Sequence, residues 1–297
     1  MTQRLDPKEA RRHLGLGLRK IRDTADITLD VAADRLSRTE GWLSKVERGH
    51  SRITPGEVEI LLGLYGADSE VIDTMRNLAS QAGPNRSSAM YRQFSDVIDA
   101  DFDPLLRLEA AATTLRWWGD TVIPALLQIR DYSHRIVGAG VRRVAEGEIA
   151  KLVDLRMSRQ RILASENSPA VTCVIAEGAL LQIVGGPEVM TAQLDHLIAT
   201  ARAGTVDIRV LPFEAGAHPA LNGAFVLVTM PPLPAFIADG PEVVAYQDTV
   251  LGSVYHREAD EVGVYEAIWQ ELLKAALPKV ESERKLNTIR EQIGSTT

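Results

Sequence analysis

Between Thr28 and Gly49 the chain reads TLDVAADRLSRTEGWLSKVERG, two short helical stretches parted by a tight polar turn. Ala32, Ala33 and Leu36 fall on one face of the first stretch, and Leu43 and Val46 form the buried stripe of the second. Ser37, Arg38 and Thr39 lie between them, with Thr39 placed as N-cap of a helix that begins at Glu40. Small side chains at 32 and 33 let two helices cross closely. A second helix supported in this way turns its opposite face outward.

That arrangement describes a helix-turn-helix, whose second helix enters the DNA major groove. The stretch resembles the phage-repressor and Cro-like (Xre) helix-turn-helix proteins, whose second helix ends in a Ser-x-x-Glu-x-Gly pattern, here Ser44, Glu47 and Gly49. By matching position, the resemblance implies that Arg22 on the preceding helix pairs with Glu47. It covers residues 10 to 65. Two positions depart from the family pattern: Leu29 stands where a phosphate-touching glutamine is common, and Ser37 where the turn glycine is.

The chain has 297 residues, enough for two domains at about 150 residues each. Its single cysteine, Cys173, rules out a disulfide framework and fits a reducing compartment. No apolar run approaches the roughly 20 residues that span a bilayer, and the start lacks a signal-peptide apolar region, so a cytoplasmic protein away from the membrane is expected. The net charge of −7 argues against nucleic acid, but its distribution does not. Residues 1–52 hold 12 Lys/Arg against 8 Asp/Glu, and the acidic excess lies in the remainder. A basic module on an acidic body fits DNA binding at one end. So small an excess favours a homodimer, which doubles the phosphate contacts.

The fold class expected is multidomain: an N-terminal all-α, five-helix, lambda-repressor-like helix-turn-helix domain and a C-terminal α+β domain. Helical spacing runs from Asp6-Pro7 to about Thr24, then through the two motif helices. Thr54-Pro55-Gly56-Glu57 is a capping box with proline at the first helical position, and Ala67-Asp68-Ser69 opens a fifth helix. This domain takes residues 1–82, and a linker rich in turn residues, centred on residues 83–88, spans 83–103. From Pro104, Leu105, Leu108, Ala112 and Leu115 fit one helix face; further helices start at Pro124 and at Glu146 or Glu148. Short β-branched runs at 170–175, 206–211, 225–228, 243–246 and 253–255 read as strands. Helices follow at about 189–203 and 260–276. The domain ends near 278, and 279–297 reads as a charged helical tail, either a dimer arm or a solvated segment.

Residues 105 to 278 are similar to the C-terminal domain of actinobacterial antitoxin-like (Scr1-type) regulators. The matching residues include Pro124 to Gln128 with Tyr132, then Arg156, Arg159-Gln160, Glu177 and Gly185-Gly186. The most distinctive run is Val210-Leu211-Pro212-Phe213 with Gly216-Ala217-His218-Pro219, Leu221, Gly223 and Phe225. Ala125 and Ile129 depart from the usual glycine and threonine. The resemblance implies transcriptional regulation, often countered by a small protein encoded nearby.

On the second motif helix the outward positions are Glu40, Gly41, Ser44 and Lys45. Lys45 can donate to guanine and Glu40 can accept from cytosine, while Gly41 lets the helix approach the bases. Arg38, Thr39, Trp42, Arg48 and Arg52 flank them and suit phosphate contacts, which hold register without reading sequence. The plain alternative is an interaction module with a solvated basic face. Agreement among cap, core, ion pair and charge favours DNA.

In the second domain Trp117-Trp118 and His218 are candidates for a ligand or partner site, although such a tryptophan pair is more often one core and one semi-exposed residue, and a loop-bridging histidine is at least as common. A small-molecule sensor is therefore the rival to control by a partner protein. Arg156, Arg159 and Arg161 suit an anion or, more commonly, ion pairs. Gly185-Gly186-Pro187 lacks the Lys and Thr of a phosphate loop. The histidines show no metal spacing, and neither a Gly-x-Ser-x-Gly elbow nor a Cys/His nucleophile pattern occurs. Neither an enzyme, a metal nor a cofactor is expected.

Overall fold

The computed structural model describes residues 7–83, 89–140, 145–237 and 240–295. The proposed Asp6 cap and residues 84–88 of the 83–103 linker lie outside them; within the rest of that linker, Tyr91 and Phe94 are buried with Leu106 and Leu155. The chain packs as two units. One takes the described residues up to Met90 together with Pro231–Glu242; the other takes Tyr91–Met230 and the described residues from Val243 onward.

The first unit holds α1 (Pro7–Thr24), α2 (Leu29–Arg35), α3 (Glu40–Glu47), α4 (Pro55–Leu64) and α5 (Ser69–Gln81). Local chemistry sets the helix starts. The Thr39 side chain accepts from the Trp42 N–H, Thr54 and Glu57 complete a reciprocal capping box, and Asp68 accepts from Val71 N–H. Leu14, Leu18, Ala32, Ala33, Leu43, Val46, Leu61 and Met75 make a continuous buried core. Gly15 sets how closely α1 crosses α3. A Cβ there would stand 2.5 Å from the carbonyl oxygens of Val46 and Glu47, so only glycine admits the contact. Ser37 takes the turn at φ 54°, the left-handed conformation that glycine adopts at lower cost.

Nothing in the helical periodicity assigns 231–242 to this unit. Ile237 is nevertheless buried in its core, with Leu233 and Phe236 packed against it, and Lys20 Nζ donates to the Ala235 carbonyl at 3.0 Å. Arg12 forms an ion pair with Glu242, and His13 Nε2 stands 3.4 Å from the same carboxylate.

The second unit is built on a six-stranded sheet ordered β3-β2-β1-β4-β5-β6. Its strands are β1 (Thr114–Gly119), β2 (Ala170–Ala176), β3 (Asp207–Leu211), β4 (Phe225–Pro232), β5 (Pro241–Thr249) and β6 (Gly252–His256). β1 pairs parallel with β2 and antiparallel with β4; β2–β3 is parallel and β5–β6 antiparallel. The helices are α6 (Asp103–Ala111), α7 (Arg130–Gly138), α8 (Glu146–Arg159), α9 (Glu177–Leu181), α10 (Pro187–Ala203), α11 (Ala259–Ala275) and α12 (Lys279–Gly294). Leu115, Cys173, Ile208, Val228 and Val244 line one sheet face, against Leu194 and Leu197 of α10 and Leu286 and Ile289 of α12. Trp118, Val174, Leu227 and Ala245 line the other, against Trp269 and Leu272 of α11.

Two expectations are corrected here. The helix from Pro104 stops at Ala111, and Leu115 belongs to a strand: Ala112 turns to ψ 144° and the β-forming run Thr-Leu-Arg-Trp-Trp pairs with β2 and β4. The segment from 279 is neither a free arm nor a solvated tail. Its Leu286, Ile289 and Ile293 are buried in the main core, and Ser282 Oγ accepts from Val210 N–H at 3.0 Å.

Cys173 is fully buried on β2, and burial pushes its thiol well above the usual range. Labelling with a thiol-specific disulfide reagent should therefore be negligible in buffer and complete in 6 M-class denaturant. Rapid labelling of the native chain would contradict the buried placement.

Candidate nucleic-acid interface

The short helix α3 is held from behind. Leu43, Val46 and Glu47 are buried, so the positions between them are forced outward. Arg22 Nε donates to Glu47 Oε1 at 2.7 Å and Nη2 to Oε2 at 2.9 Å, a two-pronged pair that ties α1 to the end of α3. Arg22 Nη1 also donates to the Ile27 carbonyl at 2.9 Å, which fixes the entry to α2. The Glu47 hydrogen bond holds the Arg22 guanidinium above its ordinary value despite burial.

On the opposite face Glu40, Gly41 and Lys45 are exposed, and Ser44 is half-buried. The space over Gly41 is open, since a Cβ built there meets nothing within 4 Å. The flanking residues divide. Arg38 Nη2 donates to Glu57 at 3.0 Å, and its guanidinium lies 4.9 Å from the Trp42 ring centroid, so it is already engaged. Arg48 Nε donates to the Ser44 carbonyl at 3.2 Å. Thr39 and Arg52 are exposed, and neither Lys45 nor Arg52 carries an ion pair among the described residues.

Of the candidate residues of the second unit, Trp118 and His218 are brought together and Trp117 is kept apart. Trp118 and Trp117 are neighbours on β1 and so point to opposite sheet faces. Trp118 is buried, donates through its indole N–H to the Ala220 carbonyl at 3.2 Å, and meets the His218 ring edge-on with centroids 5.5 Å apart. Trp117 is half-buried on the other face, beside a cavity of about 220 Å³ that Arg156 also lines. The three arginines separate as well: Arg159 forms a buried two-pronged pair with Glu109, Arg156 donates to Gln128, and Arg161 is exposed.

Residues 102–288, well over half of the chain, match the family model described as "Domain of unknown function (DUF5753)". The chain belongs to the DUF5753 family. Ahead of the DUF5753 domain, residues 13–75 match a model described as "Helix-turn-helix domain", which takes in most of α1, all of α2 to α4 and part of α5. Neither a curated protein nor a solved structure matches the chain. The helix-turn-helix ahead of the DUF5753 domain makes this protein a DNA-binding regulator. Among the described residues, no helix is long and apolar enough to cross a membrane.

Sequence reasoning placed Arg12, His13 and Gly15 in the DNA-binding unit without giving them a role, and missed Glu242 as part of it. The run HLGLGL carried a signal for Gly15, because glycines inside a helical pattern mark a close approach. Glu242 carried none, being far from α1 in the chain.

Proposed function

We propose that the chain is a sequence-specific transcriptional regulator of the Xre type that binds its operator as a homodimer. Glu40, Gly41, Ser44 and Lys45 read base edges; Thr39 and Arg52, with Arg38, Trp42 and Arg48, hold the phosphates. The observation that carries this reading is the outward face of α3, open at Gly41 and held from behind by the Arg22–Glu47 pair. The basic excess of the first 52 residues is too small for one copy to bind tightly. Two copies about 34–36 Å apart meet successive turns of one DNA face. The DUF5753 domain supplies the dimer contact and the input. In the antitoxin-like reading that input is a small protein encoded nearby, which releases DNA by disturbing the half-site spacing.

Lys45→Ala should weaken specific binding by about 1–3 kcal/mol and relax preference at one base pair. The measurement is a titration against the operator and a scrambled duplex at fixed salt. Equal loss on both duplexes would make Lys45 a phosphate contact. Genome-wide mapping of bound sites, with and without the neighbouring small protein, tests the control: sites unchanged by that protein would remove it from the scheme. A second reading is favoured by the cavity beside Trp117, in which the input is a small molecule.

A further inference from the structure

The cavity of about 220 Å³ in the second unit is lined by Phe102, Trp117 and Tyr246 on its apolar side and by Gln128, Arg156 and Asp248 on its polar side. A wider cavity of about 460 Å³ shares Phe102, Arg156 and Asp248 with it, so these residues stand where the two meet. Together they have the size and character of a small-molecule site: rings along the walls and a few convergent polar groups.

The polar groups are built rather than incidental. Gln128 is buried, donates through Nε2 to the Ile123 carbonyl at 2.7 Å, and accepts from Arg156 Nη1 at 2.7 Å. Gln160 Nε2 in turn donates to the Gln128 carbonyl at 2.6 Å. Arg156 is thus aimed by a neutral amide, and it forms no ion pair among the described residues. Its neighbour Arg159 differs, being consumed by Glu109. A guanidinium has five N–H donors, and a neutral amide answers only one of them. Burial pulls the Arg156 guanidinium down to about 10, with the charge of Arg159 adding to the effect, so an incoming anion would relieve both. Asp248 also makes no ion pair among the described residues, yet its charge is felt at Arg156. A basic and an acidic group thus line the same cavity without forming an ion pair, next to aromatic walls.

We propose that this cavity binds a small amino-acid-type zwitterion with a planar ring, its carboxylate on Arg156, its ammonium on Asp248 and its ring against Trp117 and Phe102. Asp101 and Glu148 also line the wider cavity, where Asp96 is paired with Lys151, and these carboxylates disfavour a ligand with excess negative charge. The proposal rests on the second reading above, in which the C-terminal domain takes a small molecule.

The test is calorimetric titration of the full chain with L-tryptophan and L-phenylalanine. The controls are tryptamine, which lacks the carboxylate, indole-3-propionate, which lacks the ammonium, and glycine, which lacks the ring. One or both amino acids should bind, with each control weaker by about tenfold or more. Arg156→Gln should lower affinity by a similar factor while leaving the urea midpoint close to that of the parent. Asp248→Asn, at the exposed mouth, provides a second variant if the first does not fold; it should reduce the amino acids to the level of the deaminated acid. Failure of both amino acids to bind, tryptamine binding as tightly as L-tryptophan, or binding indifferent to both variants would overturn the proposal. A thermal-shift screen of mixed chemistry separates this from the reading beneath it. An uncharged ligand blocked by Trp117→Ala would leave small-molecule control standing and remove the zwitterion; no hit of any class would remove both.

Discussion

Arg22→Ala is expected to destabilise the first unit by about 3–5 kcal/mol, because it leaves the buried Glu47 carboxylate without its counter-charge. The loss goes beyond the pair. Arg22 also donates to the Ile27 carbonyl, so truncation frees the end of α1, the entry to α2 and the end of α3 together. Lysine is a poor substitute, since one ammonium cannot reproduce the two parallel hydrogen bonds. Replacing both partners, Arg22→Met with Glu47→Leu, should recover most of the loss, because the penalty comes from an orphaned charge rather than from a missing attraction. The measurement is thermal melting of the full chain followed by far-ultraviolet dichroism and by tryptophan emission. Trp117, Trp118 and Trp269 lie in the second unit and Trp42 alone in the first. The variant should therefore lose helical signal early while most of the emission change stays where it was. Coincident, unshifted transitions would show that the pair does not hold the unit.

Glu109→Ala should cost the second unit a comparable amount, about 3–5 kcal/mol. Arg159 is 3% exposed and Glu109 1%, and the two hydrogen bonds between them measure 3.0 and 2.7 Å. The Arg159 guanidinium also lies 5.1 Å from the Phe102 ring centroid, so removing the carboxylate leaves a cation against an aromatic face with no counter-charge. Urea unfolding followed by tryptophan emission should show the midpoint fall with little change in slope. A midpoint unchanged within error would mean that Arg159 finds another partner. Here the apolar double replacement, Glu109→Leu with Arg159→Met, is expected to be far milder than the single change.

What was legible in the sequence was local. Caps at Thr39, Thr54 and Asp68 sit within three residues of the groups they satisfy, and the α3 face follows from Leu43 and Val46 alone. The motif resemblance placed Arg22 and Glu47, which the structure joins by two hydrogen bonds. What was hidden needed partners from elsewhere. Leu105, Leu108, Ala112 and Leu115 keep helical spacing across a real boundary, because strand β1 happens to put Leu115 on the same core. Trp117 and Trp118 divide into one semi-exposed and one core residue, the commoner expectation for such a pair, because alternation along the strand sends adjacent side chains to opposite faces. The apolar stripe of α12 was masked by its abundance of charge, although Leu286, Ile289 and Ile293 carry helical spacing. The Arg156–Gln128 contact joins a helix to the end of a short turn 28 residues away, a distance at which spacing carries no information.

The seat of Ile237 in the first unit has a consequence for cutting the chain. The polypeptide passes between the two units three times rather than once, at Met90, Met230 and Glu242. A fragment ending near residue 82 would therefore carry the five helices but lack the Leu233, Phe236 and Ile237 side chains that close their core. Such a fragment exposes apolar surface and invites self-association. A protease nick placed between the same helices and the remainder should give two bands under denaturing conditions but a single species in a native column, the short piece still clasping the long one by its apolar hook.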